Sequence, residues 1–597
     1  VSANAKRLTW SYIGLVCLLL APTLLHGVRE SHDIKFHLML FLSWRDALEL
    51  GTVYPRWLPD QLHGLGSPAL LIYPPVASAF FTLIDFLTLH ALTPGRVLGL
   101  GALLLSAASA ATFYPWARQH VSARVALIAA LFYATAPYHL DIDLYERGAM
   151  AEYTAFVWIP LIFLGIRTTV LTGRARAAGL LAIGVSALFL SHLLTAMLVA
   201  PLACAYALIC LCKELPSGLR IPRFVLVTVT TILGAGLAAF YVVPAMLLLP
   251  EANSPGLAND VAKTNIWFVL HKVPLQGLYD RFGIKLLLLA CAYLAVILYL
   301  SVQTWRSWRY QRAAGAALAL MWIASGILCF ALMSGFFPVI FHRPSPFAQI
   351  QFTFRLLAVM EFSVVSLFVY SVAGTQARDR RARIMKVGAV VLLLFSAAQG
   401  VDILGRFHNM PIVTPPYQNS VQLAWRLSPI EYFPAGTSVG KSVEKTFEPF
   451  KQYADAGQPA FIASDKAKLV EATRKGAQFT VHAIAAEPAQ VMIQQFYFPG
   501  WKAFDEHGGE IAVFRDENSR LASYITPAGE HTIVIKRLPT RQEHWGNIVS
   551  LIALFLLALG LILMVRHQRG RPAVKSAPEY QSEGFAGRRN VHNELTL

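Results

Sequence analysis

Charge is what this sequence lacks most. Asp, Glu, Lys and Arg make up 14% of its 597 residues, where a soluble protein carries about 25%. With 56% hydrophobic residues and a mean hydropathy of +0.51, that deficit excludes a soluble globular enzyme, a disordered chain and a fibrous repeat. Cysteine is scarce too. The six (Cys17, Cys204, Cys210, Cys212, Cys291, Cys329) all fall inside apolar segments and support neither a disulfide framework nor a zinc site. No repeat of fixed period is present, and no convincing P-loop, nucleophile elbow, HExxH or dinucleotide fingerprint.

Acidic residues are outnumbered, 34 against 51 basic ones, for a formal charge of +17. The basic residues sit in short clusters between apolar runs, as orientation by positive loops produces, and no basic-aromatic stretch points to nucleic acid. The chain therefore reads as a polytopic membrane protein. The first run, 10–28, follows Lys6 and Arg7 with no small-residue cleavage pattern after it, so a retained span with a cytoplasmic N-terminus is expected. Further spans are expected near 96–116, 123–139, 153–170, 224–249, 284–303, 314–334, 353–373, 387–404 and 546–565, with 177–213 divided in two at Ser191-His192. The apolar segment 69–90 contains Pro74-Pro75 and Asp85. Placing it in the interface, not across the membrane, puts every basic cluster from Arg118 to Lys575 on one side.

The expected fold is thus an all-α polytopic membrane bundle of about twelve transmembrane helices, with a small extracytoplasmic β domain. The bundle occupies 1–404, with a long first outer loop at 29–95 and shorter outer loops around 140–152, 250–283 and 335–352. Region 405–545 alone has soluble-domain composition. It shows β character at 478–485, 491–498, 511–515, 521–526 and 531–538, and His507-Gly508-Gly509-Glu510 reads as a hairpin turn. A final span at 546–565 leads to a cytoplasmic, disordered tail, 566–597.

Four places could carry chemistry. In the first loop Asp33 and His37 are four residues apart, which on a helix gives them one face. A carboxylate there serves as general base or, with a histidine beside it, as a metal ligand; the plainer alternative is a helix N-cap. Second, Glu146, Arg147 and Glu152 precede a span, where charges are costly unless paired or facing a cavity; the alternative is a solvated loop with a local ion pair. Third, His192 sits at the expected turn between two spans, where a packed or interfacial role is the plainer reading. Fourth, His342 precedes Arg355, which enters the end of a span; its guanidinium suits a phosphate, or else it snorkels. Tyr54, Trp57 and Tyr73 are aromatic-belt residues or the lining of a substrate groove.

Taken together, Ser31-His32-Asp33 with His37, Gly51-Thr52-Val53-Tyr54-Pro55-Arg56-Trp57, Gly64-Leu65-Gly66-Ser67-Pro68 and Tyr73-Pro74-Pro75 resemble the membrane-protein family labelled "6-pyruvoyl-tetrahydropterin synthase-related". Arg147-Gly148-Ala149 with Glu152, Ser191-His192, and Gln351-Phe352 with Arg355 extend the likeness. Phe498-Pro499-Gly500-Trp501 and Pro527-Ala528-Gly529-Glu530-His531-Thr532 resemble the C-terminal domain of YfhO-like bacterial membrane proteins. No soluble-synthase motif supports the pterin label. The sequence departs from the family at Thr353-Phe354, where Pro-Trp is usual.

Both groups resemble GT-C glycosyltransferases. The resemblance implies a multi-pass protein of the bacterial cytoplasmic membrane. It would move a sugar from a polyprenyl-phosphate donor to an envelope glycan, lipid or protein acceptor on the extracytoplasmic side. Asp33 is then expected as general base assisted by His37, in an inverting displacement. Arg355, Arg147, His192 and His342 are the expected partners of the donor phosphate, and Glu146, Glu152, Tyr54, Trp57 and Tyr73 the substrate groove. A divalent cation (Mg or Mn) on Asp33 and Glu152 is compatible but not required. Two rivals stand beside this reading. A transporter or lipid-linked glycan flippase would use Glu361 and Asp402, and an inactive scaffold would need neither Asp33 nor Arg355.

Overall fold

The computed structural model describes residues 14, 19–253, 278–307, 313–335, 337–341, 347, 350, 352–375, 377–411, 430–438, 443–462 and 464–569. Among these, ten helices are long and apolar enough to cross a membrane. The multi-pass bundle is therefore present. The remaining expected spans are the shorter apolar helix Ala175–Ser191 and the first run, of which Gly14 and 19–26 are described as helical.

Helix α1 (Ile34–Glu49) opens the long segment before the next span. A single turn, Ala69–Ile72, precedes Tyr73-Pro74-Pro75, and α2 (Val76–Leu87) follows with 12 residues. At 1.5 Å per residue α2 falls well short of the hydrocarbon thickness. Its buried Asp85 is held by His90 at 2.7 Å. The spans then begin with α3 (Pro94–Arg118) and α4 (Ala123–Ala134).

The expected loop around 140–152 is not a loop. Tyr138–Arg147 forms a π-helical continuation of α4 and is buried throughout. Pro137 ends the α-helical ladder, because proline disfavours helical geometry in the residue before it. The freed N–H groups of Tyr138 and His139 are accepted by the Glu361 carboxylate at 2.8 and 3.4 Å. Gly148, at φ +63°, then turns the chain into α5 (Met150–Ala155), which leads to α6 (Trp158–Thr172).

The break expected at Ser191-His192 is real, separating α7 (Ala175–Ser191) from α8 (Leu193–Glu214). Region 224–249, expected as one span, is divided: α9 (Ser217–Leu237) stops at Ala238 and α10 (Ala239–Leu248) continues. Helices α11 (Leu278–Ser307), α12 (Ala313–Met333), α13 (Leu356–Ala373) and α14 (Arg378–Asn409) complete the bundle before the β region. Of these α13 is the central one, with every residue from Leu356 to Val372 buried.

Among the described residues nine strands follow in two antiparallel sheets. They are β1 (Ala460–Ile462), β2 (Ala467–Lys475), β3 (Gln478–Ala485), β4 (Ala489–Phe496), β5 (Trp501–Phe504), β6 (Glu510–Ile511), β7 (Val513–Arg515), β8 (Leu521–Thr526) and β9 (Gly529–Arg537). One sheet runs β1-β4-β8-β7 and the other β2-β3-β9-β5-β6. Alternation explains them: Phe479, Val481, Ala483 and Ala485 of β3 all face the core. The domain's core also takes in Trp57, Leu62, Leu65 and Leu71 from the segment between α1 and α2. The closing helix α15 (Arg541–Arg569) starts with a capping box. Thr540 Oγ1 accepts from the Glu543 N–H at 3.3 Å, and the Glu543 carboxylate accepts from the Thr540 N–H at 2.5 Å.

Candidate functional site

Asp33 stands at the N-cap position of α1 but does not cap it, since its side chain makes no cap hydrogen bond. The carboxylate is instead 48% exposed, with Arg147 Nη2 4.0 Å away. One turn on, His37 is buried and its Nε2 lies 3.5 Å from the Tyr73 hydroxyl. Burial pushes the His37 imidazole down to about 4, against the attraction of Asp33 and with the repulsion of His192 and Arg147. It is thus neutral at physiological pH. Burial likewise raises the Tyr73 phenol.

Arg147 is fully enclosed. Its Nη1 donates to Asp143 at 2.5 Å, to Glu152 at 2.7 Å and to the Tyr138 hydroxyl at 3.3 Å. Tyr138 in turn donates to the other Glu152 oxygen at 2.9 Å. The Phe354 ring covers the guanidinium, its centroid 5.3 Å away. Such burial of a cation requires these carboxylates.

Arg355 is different. It ends a short 3₁₀ turn (Thr353–Arg355) and starts α13. Its Nε is 3.8 Å from Glu152, and neither Nε nor Nη1 has a hydrogen-bond partner among the described residues, although both are buried. The two arginines, alike in sequence, are thereby separated in chemistry. Arg147 has its charge answered by protein carboxylates, while Arg355 offers unmatched donors on a fork suited to phosphate.

His192 caps α8, its Nδ1 accepting from the Thr195 N–H at 3.4 Å and lying 2.7 Å from the Thr195 hydroxyl. His342 lies outside the described residues. Glu146 belongs to a neighbouring cluster, with Arg406 and with Lys285, which also reaches Asp141 at 2.8 Å and Asp402 at 2.9 Å. The solvated-loop alternative for Glu146, Arg147 and Glu152 fails, because all three are buried. Tyr138, Asp143, Lys285 and Arg406 were not anticipated. The i,i+4 spacing of Asp143 and Arg147 was a signal for one of them.

Tyr54 and Trp57 are each tied to the protein by their polar atoms. The Tyr54 hydroxyl donates to the Leu70 carbonyl at 2.9 Å, and its ring stacks on Trp44. Trp57 Nε1 donates to Gln495 of β4 at 2.6 Å, tying the loop to the β domain. Both rings are anchors because a buried indole or phenol needs a partner for its polar atom.

Asp33 and Glu152 do not fit a bridging divalent ion. Both Glu152 oxygens are engaged by Arg147 and Tyr138, and the Arg147 guanidinium reaches towards both carboxylates. Among the described residues no group of three or more His, Cys, Asp or Glu side chains converges as a metal site would require.

No protein-family model matches the chain, and no curated protein matches it. Among solved structures it is similar to cryo-EM structures of the arabinofuranosyltransferase AftD from Mycobacteria. One is 18% identical with a TM-score of 0.41, over 67% of this chain and 27% of that one. Another, of a mutant, is 13% identical with a TM-score of 0.44, over 90% of this chain and 42% of that one. The chain thus spans less than half the length of these structures.

Proposed function

We propose that the protein is an integral membrane glycosyltransferase of the GT-C type. It moves a sugar from a polyprenyl-phosphate donor to an envelope acceptor on the extracytoplasmic side. The observation that carries this reading is the pairing of an accessible carboxylate, Asp33, with a buried guanidinium, Arg355, that has unmatched donors, around one polar cluster. In the reaction the Asp33 carboxylate takes the proton from an acceptor hydroxyl, whose oxygen bonds to the anomeric carbon. The bond from that carbon to the phosphate oxygen breaks with inversion, and the leaving phosphate keeps the electron pair. Arg355 stabilises the charge that accumulates on it. Arg147 acts as a positioning residue that holds Glu152 and the chain beside Asp33. Neutral His37, bonded to Tyr73, keeps the α1 face in place.

The transport alternative loses its two candidate residues to other roles. Glu361 accepts from the Tyr138 and His139 N–H groups and from Tyr293, and Asp402 pairs with Lys285 and Arg406.

The test is sugar transfer by purified protein in lipid, offering a mixed pool of radiolabelled polyprenyl-phosphate sugars with envelope extract as acceptor. Label should enter the acceptor with wild type and fall by about 10²–10⁴-fold with Asp33→Asn. Equal transfer by the folded Asp33→Asn protein would remove Asp33 as base. No transfer from any donor by folded wild type would shift the reading to transport or scaffolding.

A further inference from the structure

At the far end of the bundle from Asp33, helices α4, α11, α13 and α14 do not close on one another. They leave a cavity of about 470 Å³ lined by apolar side chains such as Phe132, Val364, Phe368 and Leu392. Its size is that of a small-molecule site, which runs to about 300–1,000 Å³. Two groups on its wall are not apolar. The Tyr299 hydroxyl is buried with no hydrogen-bond partner among the described residues, and Lys386 stands exposed at the rim.

The rim is set apart by position and by charge. On α14, Lys386 precedes Arg406 by 20 residues, or roughly 30 Å of helix, and Arg406 is the residue that pairs with Glu146 beside the candidate site. The rim therefore lies near the opposite membrane face. Arg378, Arg380, Arg381 and Arg383 precede Lys386 on the first turns of α14, with Asp379 the one acid among them. Arg380 donates to the Arg306 carbonyl at 2.9 Å, bringing the basic end of α11 alongside. Basic clusters flanking a span can do no more than set orientation. Beside an apolar cavity with an unmatched hydroxyl on its wall, the same cluster also completes a lipid site: a chain-sized space, a hydroxyl for an ester oxygen, and cations for a phosphate.

We infer that this cavity binds an anionic phospholipid of the adjacent leaflet, one acyl chain between α4, α11, α13 and α14 and its phosphate at Lys386 and the neighbouring arginines. A zwitterionic phospholipid would fill the cavity equally but would gain less from the cations. A polyprenyl phosphate has the right chemistry, yet at this rim its phosphate would lie a membrane thickness from Arg355.

The experiment is native mass spectrometry of the full-length protein in detergent. It is titrated separately with phosphatidylglycerol, with phosphatidylcholine of the same chains, and with a polyprenyl phosphate. Wild type should retain phosphatidylglycerol in preference to phosphatidylcholine, with about fivefold weaker retention in Lys386→Gln, a surface change that spares the fold. Ala295→Phe, which fills the cavity from α11, should lose the bound lipid while Lys386 remains. Equal retention of phosphatidylglycerol by all three proteins would overturn the site. Preference for the polyprenyl phosphate, abolished by the same two changes, would overturn the occupant.

Discussion

Asp33 is joined to Arg147 twice. Its backbone N–H donates to the Arg147 carbonyl at 2.6 Å, and its carboxylate lies 4.0 Å from the guanidinium. The start of α1 is thereby fixed to the end of a π-helical turn, so the exposed carboxylate holds a defined place at the edge of the buried cluster.

That junction depends on Gly148. At φ +63° it is already in the left-handed region, and a Cβ there would meet Ser31 Oγ and stand 2.7 Å from Ile34 Cβ. Gly148→Ala should cost at least about 2 kcal/mol, from the left-handed penalty and the overlap together. Gly51, at φ +86° with nothing within 4 Å of the same position, is the control. Thermal unfolding in detergent should show the larger loss for Gly148→Ala, with transfer activity falling in the surviving protein because α1 is pushed away.

Arg147 answers two buried carboxylates, Asp143 and Glu152, so removing the cation leaves both uncompensated. Arg147→Met should destabilise by about 3–5 kcal/mol, and Glu152→Gln by less, because Asp143 still answers the guanidinium. The double change Arg147→Met with Glu152→Gln should recover part of the Arg147→Met loss, since one carboxylate fewer is then stranded. Unfolding midpoints of the four proteins check this, and additive losses would refute the pairing argument.

His37 makes stability depend on pH in a defined window. Unfolded, an imidazole titrates near 6.5; folded, His37 is held at about 4 by burial. Between those values the unfolded chain binds the extra proton, so stability falls as pH drops from 6.5 towards 4. The contribution is fully present above 6.5 and worth roughly 3 kcal/mol there. His37→Gln, which keeps a partner for the Tyr73 hydroxyl, should flatten the curve in that window. Unfolding midpoints at pH 7.5, 6 and 5 would show the difference.

How much of this was legible in the sequence follows from what each element buries. Strand β3 lies at 478–485, because a sheet with one buried face writes period-two alternation into the chain. Strand β8, at 521–526, shows no such alternation, its first four residues all being buried. Strands β1, β2 and the four-residue β5 were missed. The first is three residues long, and β2 carries a register shift between Leu469 and Glu471 that breaks its alternation. Among site residues, Asp33 and His37 could be paired from spacing alone. The difference between Arg147 and Arg355 could not, because it rests on Asp143, Tyr138 and a π-helical turn whose cap, Glu361, comes more than two hundred residues later. That Tyr54 and Trp57 anchor to Leu70 and Gln495 was not legible either, because the second of these partners comes more than four hundred residues later.

Asp33 and Arg355 should fail in different ways. If Asp33 removes the acceptor proton, Asp33→Asn lowers kcat and leaves the KM for the lipid donor near its wild-type value, since the interaction it supplies belongs to the transition state. If Arg355 grips the donor phosphate, Arg355→Lys keeps the charge but loses the planar fork. It should raise that KM by roughly tenfold to a hundredfold, the worth of one hydrogen bond to a charged group. Arg355→Ala should do more, because it removes the charge as well. The same substitutions separate a phosphate ligand from a structural cation. A cation needed only to answer Glu152 would be replaced adequately by lysine, since the Arg355 Nε to Glu152 separation of 3.8 Å is an ion pair without a hydrogen bond. Steady-state kinetics on the three variants with one labelled donor therefore decide whether Arg355 reads the donor's phosphate or only balances charge.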